Sequence, residues 1–333
     1  MKNLLKIAKI FTIALTFLAA GSCSSDDDGT TSSSDRSITA NAILNSDLSI
    51  LVDALTRANL AATLDSAGAY TVFAPTNQAF SNLLNDLGFS SLEEVPVETL
   101  TDILLNHVII GVISSSDLNT LEAGYVSTLS TAGPNDTNIS LYFNAGSEVV
   151  INGGADNGGA TVDTADILAN NGIIHVVDNV ITLPTIVNFA LADPDLSVLV
   201  SALTREDQPD FVGTLSGTTN SPFTVFAPNN QAFLDLLEEL DVTALGDIDT
   251  ATLEATLNYH VVAQSNVLST GLSDNFTVPT LGGDITANTT GGPTLTDANG
   301  RISNIIISAL DIQATNGVIH QIDKVILPPL SEE

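Results

Sequence analysis

The chain has 333 residues, with 39 acidic side chains against eight basic ones, a formal net charge of −31 and an isoelectric point near 4.1. So acidic a surface repels nucleic acid and anionic lipid headgroups, which excludes a nucleic-acid-binding role and leaves multivalent cations as compatible ions. A single cysteine, Cys23, rules out an internal disulfide.

The first residues read as an export signal. Lys2, Lys6 and Lys9 make a basic start, and an apolar run from Ile10 to Ala20 is interrupted only by Thr12 and Thr16. That run is too short for a membrane span. Ala20-Gly21-Ser22-Cys23 resembles a lipobox, so the expectation is a signal peptide over 1–22 and a lipid on Cys23, which becomes the mature N-terminus. Residues 23–37 are rich in Ser, Asp, Thr and Gly and read as an acidic, flexible tether. The Ser24-Ser25-Asp26-Asp27-Asp28 run resembles a signal for display on the outer face of an outer membrane; a solvated spacer is the plainer alternative. Contact with the membrane is expected only through the N-terminal lipid. Loss of the signal leaves five basic residues against 39 acidic ones, a net charge of −34.

The remainder is written twice. Tyr70-Thr71-Val72-Phe73-Ala74-Pro75-Thr76-Asn77-Gln78-Ala79-Phe80 recurs 153 residues later as Phe223-Thr224-Val225-Phe226-Ala227-Pro228-Asn229-Asn230-Gln231-Ala232-Phe233. His107 and His260 keep that offset, whereas Asn171-Gly172-Ile173-Ile174-His175 and Asn316-Gly317-Val318-Ile319-His320 are 145 apart. A period this long marks two homologous domains rather than a solenoid. Their expected limits are 38–184 and 185–328, with 329–333 a tail. The join at Leu183-Pro184-Thr185-Ile186 has no Gly/Ser spacer and predicts a stiff pair.

In chain order, Leu48, Leu51, Val52 and Leu55, repeated as Leu196, Leu199, Val200 and Leu203, mark an amphipathic helix in each copy. A strand at 71–73, or 224–226, stops at Pro75 or Pro228. A second helix starts at Thr76-Asn77 or Asn229-Asn230, whose side chains can cap it. Its predicted buried face is Phe80, Leu83, Leu84 and Leu87, matched by Phe233, Leu236, Leu237 and Leu240. A further helix is predicted over 97–105 and 252–257, then strands at 139–143, 149–151 and 173–181. Relative to the first copy, the second gains five residues within 208–221 and later loses eight, both expected in loops. Helices followed by a β-rich half give the class α+β.

The Thr-Val-Phe-Ala-Pro turn, the histidine closing the third helix and the final Asn-Gly-x-Ile-His-x-x-Asp run resemble the boxes of fasciclin (FAS1) domains, twice over. The resemblance implies two tandem wedge-shaped β-sandwiches flanked by helices, and adhesion to extracellular matrix or cell-surface polymers, copies of itself included. It makes Tyr259-His260, with Asn106-His107 in the first copy, and the pairs Asp166-Ile167 and Asp311-Ile312 candidate adhesion or fold motifs. It makes Phe73, Pro75, His175, Phe226, Pro228 and His320 structural ones. A surface module capturing glycans or peptides for uptake is the alternative function.

The four histidines offer two per domain, too few for a zinc site, and read as buried structural groups. Asp156-Asn157-Gly158 and Asp297-Ala298-Asn299-Gly300 lack the full calcium-loop pattern and read as turns. No metal or other cofactor is expected. Nucleophile elbow, phosphate loop, dinucleotide fingerprint and metalloprotease helix are all missing, so the chain does not read as an enzyme.

Overall fold

A serine oxygen starts the first element: Ser37 accepts a bond from the Ala40 amide and caps helix α1, Ile38–Leu44. The computed structural model describes residues 32–329. The expected signal peptide, Cys23, most of the tether and the tail beyond Pro329 lie outside the described residues. After α1 come α2, Ser49–Arg57, and α3, Ala61–Asp65. Strand β1, Tyr70–Pro75, yields at its last proline to α4, Asn77–Leu87, where Thr76 accepts from the Ala79 amide and Gly88, at φ 72°, ends the helix. Then follow α5, Val97–Asn106, β2, Val108–Ile110, and α6, Ser115–Leu121. Strands β3, Ala123–Ser127, β4, Ser140–Ala145, β5, Val149–Ile151, β6, Ala160–Ala169, and β7, Gly172–Val177, complete the first domain.

These strands form one sheet in the order β2-β1-β7-β6-β5-β4-β3, in which β1 and β7 run parallel. Two register shifts in β6, between Val162 and Thr164 and between Thr164 and Ile167, bend it. The two halves of the sheet thereby close on one another. Phe73 and Val177 from one half meet Leu141, Phe143 and Ile151 from the other. The opposite face of β1 and β7 is covered by the helices, with Leu51, Leu55, Phe80, Leu100 and Leu104 against Val72, Ile174 and Val176.

The second domain repeats the plan with α7, Ile186–Ala192, α8, Ser197–Leu203, α9, Phe211–Ser216, β8, Phe223–Pro228, α10, Asn230–Glu239, α11, Thr250–Asn258, and β9, Val261–Val262. Its later strands are β10, Phe276–Pro279, β11, Asp284–Asn288, β12, Thr294–Thr296, β13, Ile302–Asn304, β14, Ile312–Ala314, and β15, Gly317–Ile322. Here the bend is a complete break. A 3-10 turn at Ile307–Ala309 separates β13 from β14, leaving two sheets, β14-β15-β8-β9 and β10-β11-β12-β13. Both domains are α+β wedges of two β-layers with helices on one side.

The structure places the length changes and corrects two expectations. The segment 208–221 contains α9, the counterpart of α3: Asn316 donates to the Leu215 carbonyl as Asn171 does to that of Leu64, an offset of 151, so three of the five added residues precede α9 and two follow it, in loops as expected. Leu87 and Leu240 are 49% and 39% exposed: each sits at the very end of its helix, past the sheet it was expected to cover. The strand expected over 173–181 ends at Val177, where Asp178 turns to accept a bond from the Thr161 amide. The eight-residue loss lies in a loop, as expected: residues 128–139 joining β3 to β4 shrink to 280–283 between β10 and β11.

The domains touch along a built contact. Tyr142 is buried within the second domain's core, and Tyr125 packs edge-on to Phe189 at 5.7 Å. The Tyr125 hydroxyl donates to Asp193 over 2.8 Å, and Gln321 Nε2 donates to the same carboxylate over 2.6 Å. Asn157 donates to the Asn188 carbonyl, the Gln313 amide to Ser140 Oγ, and the Thr315 amide to the Pro184 carbonyl.

Candidate functional site

The motif residues do not gather in one place; each box is tied into the backbone of its own domain. His107 sits at the C-cap of α5, where its Nδ1–H donates to the Ile103 carbonyl (2.7 Å) and its Nε2 accepts from the Ile181 amide (2.9 Å). His260 repeats this on α11, with Nδ1–H on the Thr256 carbonyl (2.7 Å) and Nε2 facing the Ile326 amide (3.0 Å). An acceptor on one side and a donor on the other select the neutral ring protonated at Nδ1. Burial brings both pKa values down to about 4, against an opposing pull from the carbonyl bonds.

His175 and His320 use the other tautomer. Their Nε2–H groups donate to the Ile113 and Val267 carbonyls (2.9 and 2.8 Å), and their Nδ1 atoms accept from the Asp166 and Asp311 amides (3.3 and 3.2 Å). Desolvation lowers both pKa values, the carbonyl bonds and the aspartates acting against it. Each ring also lies on the phenylalanine opposite it in the β-ladder, Phe73 at 5.5 Å and Phe226 at 5.7 Å. Pro75 and Pro228 are the last residues of those same strands, just before the capping Thr76 and Asn229.

Asp166 and Asp311 occupy the bend of the wedge with φ of 62° and 55°, the left-handed region that short polar side chains tolerate. Their carboxylates receive the Ser115 and Ser269 amides (2.9 and 2.7 Å) together with both serine hydroxyls. Each aspartate thus joins the bend to the start of α6 or to the matching 3-10 turn at Ser269–Gly271. Ile167 packs at the edge of the helical core, and Ile312 is fully buried.

The two copies differ at the residue before the central histidine. Asn106 is buried beneath the long β3–β4 connection and donates to the Thr182 carbonyl over 3.1 Å. Tyr259 is buried beneath the short one. A Cβ added at Gly282 would fall 2.3 Å from the Tyr259 ring, and one at Gly283, whose φ is 144°, 2.4 Å from its hydroxyl. The Tyr-His and Asn-His pairs therefore follow the length of the loop above them. Among these motif side chains Asp166 is exposed, Asp311 and Ile167 are half-buried, and the others are buried.

The acidic turns are similarly occupied. Asp297 accepts from the amides of Asn299, Arg301 and Leu327, and Asn157 is engaged with Asn188. Among the described residues no group of three or more His, Cys, Asp or Glu is placed to hold a metal ion. No single described helix is long and apolar enough to cross a membrane.

Sequence reasoning passed over two sets of residues. Arg57 donates Nη2 to the Glu93 and Val95 carbonyls, and Arg205 donates Nη1 to those of Leu245 and Ile248. Their offset of 148 was the available signal. Both line shallow clefts beside the helices, of about 600 and 480 Å³. The second set is the domain contact of Tyr125, Tyr142 and Asp193; the run Ile139-Ser140-Leu141-Tyr142-Phe143 hinted at a strand covered on both faces.

A family model described as the Fasciclin domain matches residues 46–184 and again 194–328. Human periostin is 30% identical over 280 residues, covering 81% of this chain and 30% of periostin. The pig transforming growth factor-beta-induced protein ig-h3 is 28% identical over 265 residues, covering 80% of the chain and 35% of that protein. The chain thus spans about a third of the length of these relatives. Among solved structures, a FAS1 domain pair from the insect cell adhesion molecule Fasciclin I aligns with a TM-score of 0.51 at 21% identity, covering 87% of this chain and 95% of that one. At that identity the likeness is one of fold.

Proposed function

The chain belongs to the fasciclin domain family, and from that premise we propose that it is a lipid-anchored surface protein. Its two domains adhere to extracellular or cell-surface polymers. The observation that carries this reading is the tandem pair itself, matched domain for domain to a pair from a cell adhesion molecule and held by a contact in which Tyr142 enters the neighbouring core. Such a pair presents its exposed strands and loops in a fixed relation, as multivalent attachment by weak contacts requires. The histidine boxes serve the fold, so the adhesive contacts fall to the outer surfaces. No catalytic step is assigned, because the histidines are spent on backbone groups.

The lipid on Cys23 and display at the outer membrane surface are part of the same proposal, supported by the lipobox-like Ala20-Gly21-Ser22-Cys23 and the acidic run after it. Attachment of cells to surfaces and to each other, compared between wild type, a deletion and Cys23→Ala, tests it. Loss of attachment in both mutants with unchanged growth is the expected result. Unchanged attachment in the deletion would overturn the adhesive role and favour substrate capture.

A further inference from the structure

The face by which the second domain rests on the first has a counterpart on the first domain. On α7 and β14 that face includes Ala192, packed against Tyr142 and Gly153, and Gln313, bonded to Ser140; they are only 8% and 3% exposed. At the repeat offsets of 148 and 145 these positions become Leu44 on α1 and Leu168 on β6, which are 64% and 52% exposed. Ile43, beside Leu44, is 62% exposed. Asn41 joins them into one face, since its Nδ2 reaches both the Ser33 and Leu168 carbonyls and Leu44 lies one helical turn further on.

The other free end of the pair is more polar. By strand register, the positions of Tyr125 and Tyr142 are taken in the second domain by Thr277 and Thr286, flanked by Asp284 and Asn288. That outer row carries threonine on three strands and a single exposed aliphatic, Ile302, on the fourth; the α1–β6 end sets three bare aliphatic side chains together.

In the second domain, the Ala192 and Gln313 positions of the face are covered by what precedes that domain in the chain, whereas Leu191, the counterpart of Ile43, stays 56% exposed. In the first, the described chain leaves this same face at Ser32, nine residues after Cys23, a span of about 30 Å at full extension. A second copy fits poorly: its tyrosine seat is filled by its own second domain, and its outer strands offer threonine. Three side chains also fall far short of the roughly 800 Å² per partner that a stable dimer buries.

We propose that the α1–β6 face of the first domain rests on the lipid surface that holds the Cys23 anchor, with Ile43, Leu44 and Leu168 entering the boundary between headgroups and acyl chains. The inference depends on the lipidation of Cys23 proposed above. It makes the attachment two-point, a covalent lipid and a shallow apolar contact, and turns the second domain toward the medium. Asp35 and Asp47 flank the face, so neutral headgroups are preferred to anionic ones.

The chain has no tryptophan, so Leu44→Trp places a sole indole on the face. The lipidated full chain carrying it is reconstituted in phosphatidylcholine vesicles, with Thr277→Trp on the outer strand of the second domain as the control. The expected result is blue-shifted emission from Leu44→Trp that loses about half its intensity when the acyl chains are brominated, as a depth of roughly 5–10 Å implies, with no change for Thr277→Trp. Protein that floats with the vesicles but keeps an unquenched Leu44→Trp overturns this inference and leaves the anchor standing. Protein that does not float overturns both. A blue shift that grows with protein concentration without vesicles assigns the face to a second copy and also overturns it.

Discussion

His107 and His260 are neutral because charging either would strip a proton acceptor from a buried amide. With pKa values held near 4 against an ordinary 6.5, the folded protein binds fewer protons than the unfolded chain between those limits. Their contribution is therefore intact above about pH 6.5 and lost as pH falls toward 4, by on the order of 3 kcal/mol each. Melting temperature should decline across that window, and His107→Gln with His260→Gln should flatten the decline while lowering the plateau. His260→Gln alone is expected to cost about 1–3 kcal/mol, the scale of one disturbed buried hydrogen-bond pair. A denaturant midpoint for His260→Gln equal to that of wild type would contradict the bridging role. At Asp166 the same logic concerns the backbone. Asp166→Ala loses the Ser115 bonds and places a Cβ-bearing residue without local polar support at φ 62°, so it should destabilise by about 1–2 kcal/mol. Asp166→Gly keeps the backbone and should cost less. Chemical unfolding of the two variants checks the order.

Helices and strands that occur twice were legible in the sequence, because each copy confirms the period of the other. The strand into Pro75, the capped helix after it and the strand at 149–151 emerge with nearly their observed limits. Short elements were not legible. α1, α3, α6, α7 and α9 have five to seven residues, too few for an apolar period to register without a longer counterpart such as α2 gives α8, and the join at Pro184 conceals the start of α7. The loop above the central histidine was legible only as a count of eight missing residues, and its effect on Asn106 and Tyr259 needed the register of β10 and β11. That coupling can be measured. Gly282→Ala drives a methyl into the Tyr259 ring and should cost several kcal/mol, on the scale of overpacking plus backbone shift. In a Tyr259→Asn background the added cost of Gly282→Ala should fall by at least about half, a non-additivity expected of residues in contact. Equal costs in both backgrounds would mean that the ring does not set the loop.

Taken as one molecule, the chain owes its stiffness to side chains that look ordinary in sequence. Tyr142 reads as a strand residue whose largely apolar run hints at cover on both faces, whereas Tyr125 falls outside the predicted strands. Asp193 is buried between them and Gln321, and burial raises its pKa while the Tyr125, Gln321 and Asp195 bonds pull the other way. Tyr142→Ala opens a hole of aromatic size in this contact and should cost about 3–5 kcal/mol. Calorimetry is expected to show one transition for the wild type and two for Tyr142→Ala, as each domain melts alone. A single, merely lowered transition would locate the coupling elsewhere.

The threonine face of β10 and β11 limits how such a molecule can evolve. Copying either domain onto the C-terminal end would add mass without adding reach, because the newcomer would meet Thr277 and Thr286 and swing freely on its linker. A longer rigid rod would need two aromatic substitutions and eight restored loop residues at once, a step no single duplication supplies.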